Sequence, residues 1–156
     1  MLLVMIDQLS KWVVEIRLPL QQQIEVIPFF SLFRTYNYGV AFSFLEELGQ
    51  LPLVILTICI IGFVIWLWYS LEANRFLSEL GFACVIGGAF GNLIDRAWLG
   101  KVVDMILFHI DSLDFQFAVF NLADTFITLG AIVIILDEFL IWQRLRNKTK
   151  ELDKEV

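Results

Sequence analysis

No charged residue occurs between Leu48 and Leu71, and that run exceeds the roughly 20 apolar residues an α-helix needs to cross the hydrocarbon core of a bilayer. Such a segment belongs in lipid or in a large apolar interior. A chain of 156 residues, 59% of them hydrophobic, is far more apolar than ordinary soluble domains, in which about half the residues are apolar. The sequence therefore describes a membrane protein.

Two further spans are predicted, one from about Phe76 to Ile94 and one from about Phe117 to Trp142. A helix at the N-terminus, from Met1 to Val14, completes a set of four, although this stretch is short for a span and Asp7 and Lys11 interrupt it. It lacks the basic start and small-residue cleavage site of a secretory signal, so it reads as retained. Arg144, Arg146, Lys148, Lys150 and Lys154 cluster after the last span, which places residues 143–156 as a cytoplasmic tail. The segment before Leu51 and the one around Asp104 then lie outside. No repeat or linker divides the chain, and 1–156 reads as a single domain.

The outer segments carry the elaboration. Pro19 and Pro28 interrupt any helix between Glu15 and Glu47, and the runs Ile24 to Ile27 and Leu32 to Tyr38 are rich in β-branched and aromatic residues, which predicts short strands. Gly39 follows as a turn and Val40 to Leu45 as a short interfacial helix. The fold class is thus an all-α membrane protein with a small outer β element. Gly87 and Gly91, with Ala83 a turn earlier, form the small-residue face that lets helices approach closely in lipid.

An ionisable group at membrane depth costs roughly 3 kcal/mol or more, and this makes each one a functional candidate. Helical spacing groups Asp7 with Lys11, Asn92 with Asp95 and Arg96, and Asn121 with Asp124, all near the outer ends of spans. Asn37 and Asp104 join them from non-helical segments. Asp7 with Lys11, and Asp95 with Arg96, also fit plain ion pairs at helix ends. Asp104 and Asp124 stand out as two carboxylates able to share a proton and activate water. The residues alone leave catalysis, proton or ion transport and simple structure open. A transporter would carry such acids near mid-membrane in broken helices, whereas an anchoring bundle would leave the polar set without a purpose.

Cys59 and Cys84 lack the spacing of a metal or redox site and read as small buried hydrophobes. His109, the only histidine, reads as an interfacial loop residue without a second ligand nearby. The formal charge of −6 says little about partners, since Glu151, Asp153 and Glu155 alternate with lysines in a tail that reads as a solvated end, and nothing favours nucleic acid as a partner.

The strings Asp7-Gln8-Leu9-Ser10-Lys11, Asn37-Tyr38-Gly39-Val40-Ala41-Phe42, Gly87-Gly88-Ala89-Phe90-Gly91-Asn92-Leu93-Ile94-Asp95-Arg96, Gly100-Lys101-Val102-Val103-Asp104 and Phe120-Asn121-Leu122-Ala123-Asp124 resemble, in order, the motifs of bacterial lipoprotein signal peptidase, or signal peptidase II. The resemblance implies an aspartic endopeptidase of the inner membrane that cuts diacylglyceryl-modified prolipoproteins before the lipidated cysteine. It implies Asp104 and Asp124 as the catalytic pair, with Asp7, Lys11, Asn37, Asn92, Asp95, Arg96 and Asn121 supporting the site or the substrate. Four transmembrane helices, a small outer sheet and a short outer helix are implied as well. Neither metal nor cofactor is expected, and the partners are lipidated substrate and membrane lipid. The apolar stretch before Asp7 is shorter than family members usually carry.

Overall fold

The computed structural model describes residues 1–39, 50–71 and 75–155, and among them the order is α1 (Leu2–Arg17), β1 (Gln23–Ile27), β2 (Phe30–Asn37), α2 (Leu51–Tyr69), α3 (Phe76–Leu99), β3 (Val102–Ile110), β4 (Phe115–Gln116) and α4 (Leu122–Glu155). Three of the helices, α2, α3 and α4, are long and apolar enough to cross a membrane. The fourth, α1, has 16 residues. The helix expected over Val40 to Leu45 lies outside the described residues.

The helices are inside out relative to a soluble bundle. On α1, the inward positions Asp7, Lys11 and Val14 are buried, whereas Met5, Leu9, Trp12 and Ile16 face outward. That pattern suits a surrounding solvent of lipid tails, in which apolar side chains need no cover and polar ones do. α1 stops at Leu18, whose extended backbone precedes Pro19. Along α2 only Ile61 is buried, and Cys59 is exposed, so the reading of that cysteine as buried is corrected. It faces outward from an uncharged helix.

α3 and α4 pack most intimately, and glycines explain the approach. A methyl group at Gly88 would collide with the Ala123 carbonyl, and one at Gly130 with the carbonyl of Gly81. At the far end of this pair, Arg75 reaches Asp137 at 3.1 Å and Glu138 at 2.8 Å, and Ser78 donates to Asp137 at 2.5 Å. The acids at the end of the last span are thus partnered. The helix expected from Phe117 begins only at Leu122, because Phe120 is used in backbone pairing with Met105 and Ile106. At its other end α4 continues through the basic cluster to Glu155. α3 likewise runs on to Leu99, where Gly100 closes it in the left-handed conformation (φ 68°).

The β element is larger than expected, an antiparallel sheet in the order β1-β2-β3-β4. β1 and β2 match the predicted strands in place and approximate length. β3, which carries Asp104, was not foreseen, since Val102-Val103 reads as a short apolar run. Its first four residues are buried, and Val103 and Met105 pack on Val14 of α1 in a small core. This seats the sheet across the end of the bundle. His109 lies on β3, 3% exposed, and not in a loop. Its ring bridges Ser31 Oγ at 2.8 Å and Asp111 Oδ1 at 2.7 Å, tying β2 to the turn after β3.

Candidate active site

Asp104 is the third residue of β3, opposite Thr35 of β2, and is 2% exposed. Phe120 brings α4 to it. The Phe120 carbonyl accepts from Met105 and Ile106, and its own N–H donates to Ile106 at 2.9 Å. The next residue, Asn121, begins a reciprocal cap: its Oδ1 accepts the Asp124 N–H at 3.0 Å, and Asp124 Oδ2 accepts the Asn121 N–H at 3.2 Å. This is the capping-box arrangement, with an acid three residues after the cap satisfying donors that a helix start leaves free. Local helix chemistry therefore pins Asp124, whose second oxygen remains for other work.

Each acid accepts from a side-chain amide. Asn121 Nδ2 donates to Asp104 Oδ1 at 2.6 Å, and Asn92 Nδ2 donates to Asp124 Oδ1 at 2.8 Å. The orientation of Asn92 follows from Lys11, which approaches its Oδ1 at 2.9 Å. An ammonium only donates, so it holds the carbonyl oxygen toward itself and turns the NH₂ toward Asp124. Asn121 Nδ2 also reaches Asn92 Oδ1 at 3.2 Å, joining both acids in one network.

Behind the pair lies a buried charge cluster. Lys11 Nζ stands 2.8 Å from Asp7 and 3.0 Å from Asp95. The expected Asp7 with Lys11 pair is present. The alternative pairing of Asp95 with Arg96 is not, because Asp95 points to Lys11 instead. Arg96 is half-buried in the last turn of α3, and its charge acts on Asp124, Asp104 and Asp95. Asn37 ends β2 and accepts the Gly39 N–H at 2.9 Å, forming the predicted turn, in which Gly39 has φ 78°. All nine polar residues singled out in the sequence thus gather at one end of the bundle. Gln8, to which the sequence reading assigns no role, joins the cluster as well. Its amide donates to Asp95 Oδ1 at 2.8 Å, the Gly91 carbonyl at 3.1 Å and Asp7 Oδ2 at 3.3 Å. Its place beside Asp7, one turn before Lys11, was the available signal.

Burial pushes the Asp104 carboxyl up to about 6, and the Asp124 charge acts in the same direction. Hydrogen bonding from Asn121 and Asn37 and the charge of Lys11 oppose the rise. Asp104 therefore holds a proton at pH values where an ordinary carboxyl has lost it. Half-buried Asp124 stands beside it. An acid that keeps its proton, coupled to a second carboxylate, can both give and take protons at a reacting centre.

Gly91 shows how closely α1 approaches. A methyl group there would run into the Asp7 carboxylate and lie 3.3 Å from Ala123 Cβ, whereas one at Gly62 would meet nothing within 4 Å. Gly91→Ala is expected to cost about 1–3 kcal/mol by overpacking and to lower turnover by displacing Asp7. Gly62→Ala should be neutral in both. Thermal unfolding and activity of the two purified variants check this, and equal behaviour would remove the steric argument.

The model of the Signal peptidase (SPase) II family matches residues 1–140. The chain is 52% identical over 145 residues to the lipoprotein signal peptidase of Brucella ovis, covering 93% of this chain and 89% of that one. The lipoprotein signal peptidase of Brucella abortus matches to the same extent. Two solved bacterial membrane enzyme structures, both obtained by the in meso method, superpose with TM-scores of 0.74. One is 29% identical and covers 86% of each chain, and the other is 28% identical, covering 94% of this chain and 87% of that one.

Proposed function

The chain belongs to the signal peptidase II family, and from that premise we propose that Asp104 and Asp124 are its catalytic pair, acting on diacylglyceryl-modified precursors. The protein is a membrane protease that removes signal peptides from prolipoproteins. The observation that carries the site assignment is the convergence of the two acids in one amide network at the bundle end, with Asp104 pushed up to about 6.

The chemistry follows from that arrangement. One carboxylate, ionised, takes a proton from the attacking water, while its protonated partner hydrogen-bonds the carbonyl oxygen as negative charge develops there. The same pair then delivers a proton to the leaving amine. The proton belongs to both acids, and each serves in either role. Arg96, whose charge acts on the pair, supports the substrate backbone together with Asn37. Asp7, Lys11, Asn92, Asp95 and Asn121 hold the acids in place. No step requires a metal or cofactor.

In the membrane, α1 joins α2, α3 and α4 as a fourth span, with the site at the outer face of the cytoplasmic membrane. The basic residues Arg144, Arg146, Lys148 and Lys150 keep the end of α4 in the cytoplasm. Cleavage falls before the lipidated cysteine, whose acyl chains stay in lipid while the scissile bond meets the acids. Each buried CH₂ adds about 0.8 kcal/mol to that retention. A reconstituted enzyme should therefore cleave a diacylglyceryl-modified precursor at least about 100-fold more efficiently than the same peptide unmodified, since two acyl chains supply far more than the roughly 2.7 kcal/mol needed. Equal kcat/KM for the two would sink the lipid-specific reading.

A further inference from the structure

We propose that Gln8 is a positioning residue that clasps together two backbone tethers, one immediately before each acid of the pair. This rests on the catalytic assignment of Asp104 and Asp124. Asp95 Oδ2 accepts the N–H of Val103 at 3.1 Å, and Val103 directly precedes Asp104. Asp7 Oδ1 accepts the N–H of Ala123 at 2.9 Å, and Ala123 directly precedes Asp124. Both links are buried, with Asp7, Val103 and Ala123 at 0% exposure and Asp95 at 2%. Two carboxylates from different helices thus grip the main chain of β3 and of α4 at corresponding points.

What sets the spacing of the acids is whatever joins Asp7 to Asp95. Two groups do so, Lys11 and Gln8. Lys11 binds Asp7 Oδ2 and Asp95 Oδ2. Gln8 binds Asp7 Oδ2 and the remaining Asp95 oxygen, Oδ1, and secures itself on the Gly91 carbonyl. Two carboxylates against one ammonium leave an excess of acceptors in a buried place, where an unmatched lone pair is costly. The Gln8 NH₂ supplies neutral donors that balance the cluster without a second charge. It is also the only one of the two that reaches Asp95 Oδ1, so it fixes the plane of the carboxylate whose other oxygen holds Val103.

Gln8 touches neither acid of the pair, so its removal should alter how often they are correctly spaced and not how substrate binds. Gln8→Met keeps length and loses the donors. Its kcat is expected to fall about 10-fold with KM within about twofold, because small displacements of reacting groups weigh heavily on turnover. Gln8→Glu sets a third carboxylate against Asp95 and should fall about 100-fold, and Gln8→Lys, which restores donors, should recover to within about threefold of the unaltered protein. Amide hydrogen exchange supplies a readout that needs no substrate. The Val103 and Ala123 amides should exchange about 10-fold faster in Gln8→Met while those of α2 stay unchanged. An unchanged kcat, or unchanged exchange at both amides, overturns the clasp. Faster exchange in a protein whose unaltered form cleaves no lipidated precursor would keep the clasp and remove the catalytic reading instead.

Discussion

Asp104→Asn and Asp124→Asn are each expected to lower kcat by about 10³-fold or more, within the range by which positioned acid–base groups accelerate proton transfer. The amide keeps the size of the side chain but neither accepts the proton of water nor shares one with its partner. The folding side of the experiment separates a catalytic acid from a structural one. Burial raises the Asp104 carboxyl to about 6, so its ionised form is disfavoured in the folded protein and adds no stability above that pH. Asp104→Asn removes this penalty. At pH 7.5 its thermal midpoint should equal or exceed that of the unaltered protein, a trade-off found where function requires strained chemistry. Kinetics on a lipidated precursor and unfolding in the same detergent test both halves. Normal turnover in either variant would dismiss the pair, and a large loss of stability in Asp104→Asn would recast that residue as a structural anchor.

The contrast between α4 and β3 shows what was legible in the amino acids. Asn121 and Asp124 sit three residues apart at a helix start, a spacing that local rules connect to capping, and the structure places them in that relation. Polar residues in apolar segments announced the site because lipid makes each conspicuous. β3 gave no such signal. Val102-Val103 continues as Met105 to Phe108, an apolar run that suits a buried strand and a helix segment equally, and its partners lie far away in β2 and at Phe120. The same distance hid His109, whose burial depends on Ser31 from another strand. It also explains why Asp95 pairs with Lys11 and not with its neighbour Arg96: consecutive helical residues diverge in direction, and α1 supplies a cation on the side Asp95 faces.

The pH dependence of kcat/KM follows from the shared proton. On the proposed mechanism the free enzyme carries one proton on the pair, and that proton departs as pH rises through about 6, the value to which burial brings Asp104. An alkaline limb is therefore expected near that pH, with activity falling about tenfold per unit beyond it. Asn121 sets its position, because the hydrogen bond from Nδ2 to Asp104 at 2.6 Å favours the ionised form. Asn121→Ser is the informative variant. Serine is a good helix cap, so the oxygen that accepts the Asp124 N–H is retained, while the donor to Asp104 is lost. Without that donor the carboxyl holds its proton more firmly, and the limb should move to higher pH. Asp104 would thus be more often protonated at neutral pH, yet kcat at the optimum should fall, because the acid is no longer oriented. A limb displaced to lower pH, or one that does not move while activity falls, would mean that some other group holds the essential proton.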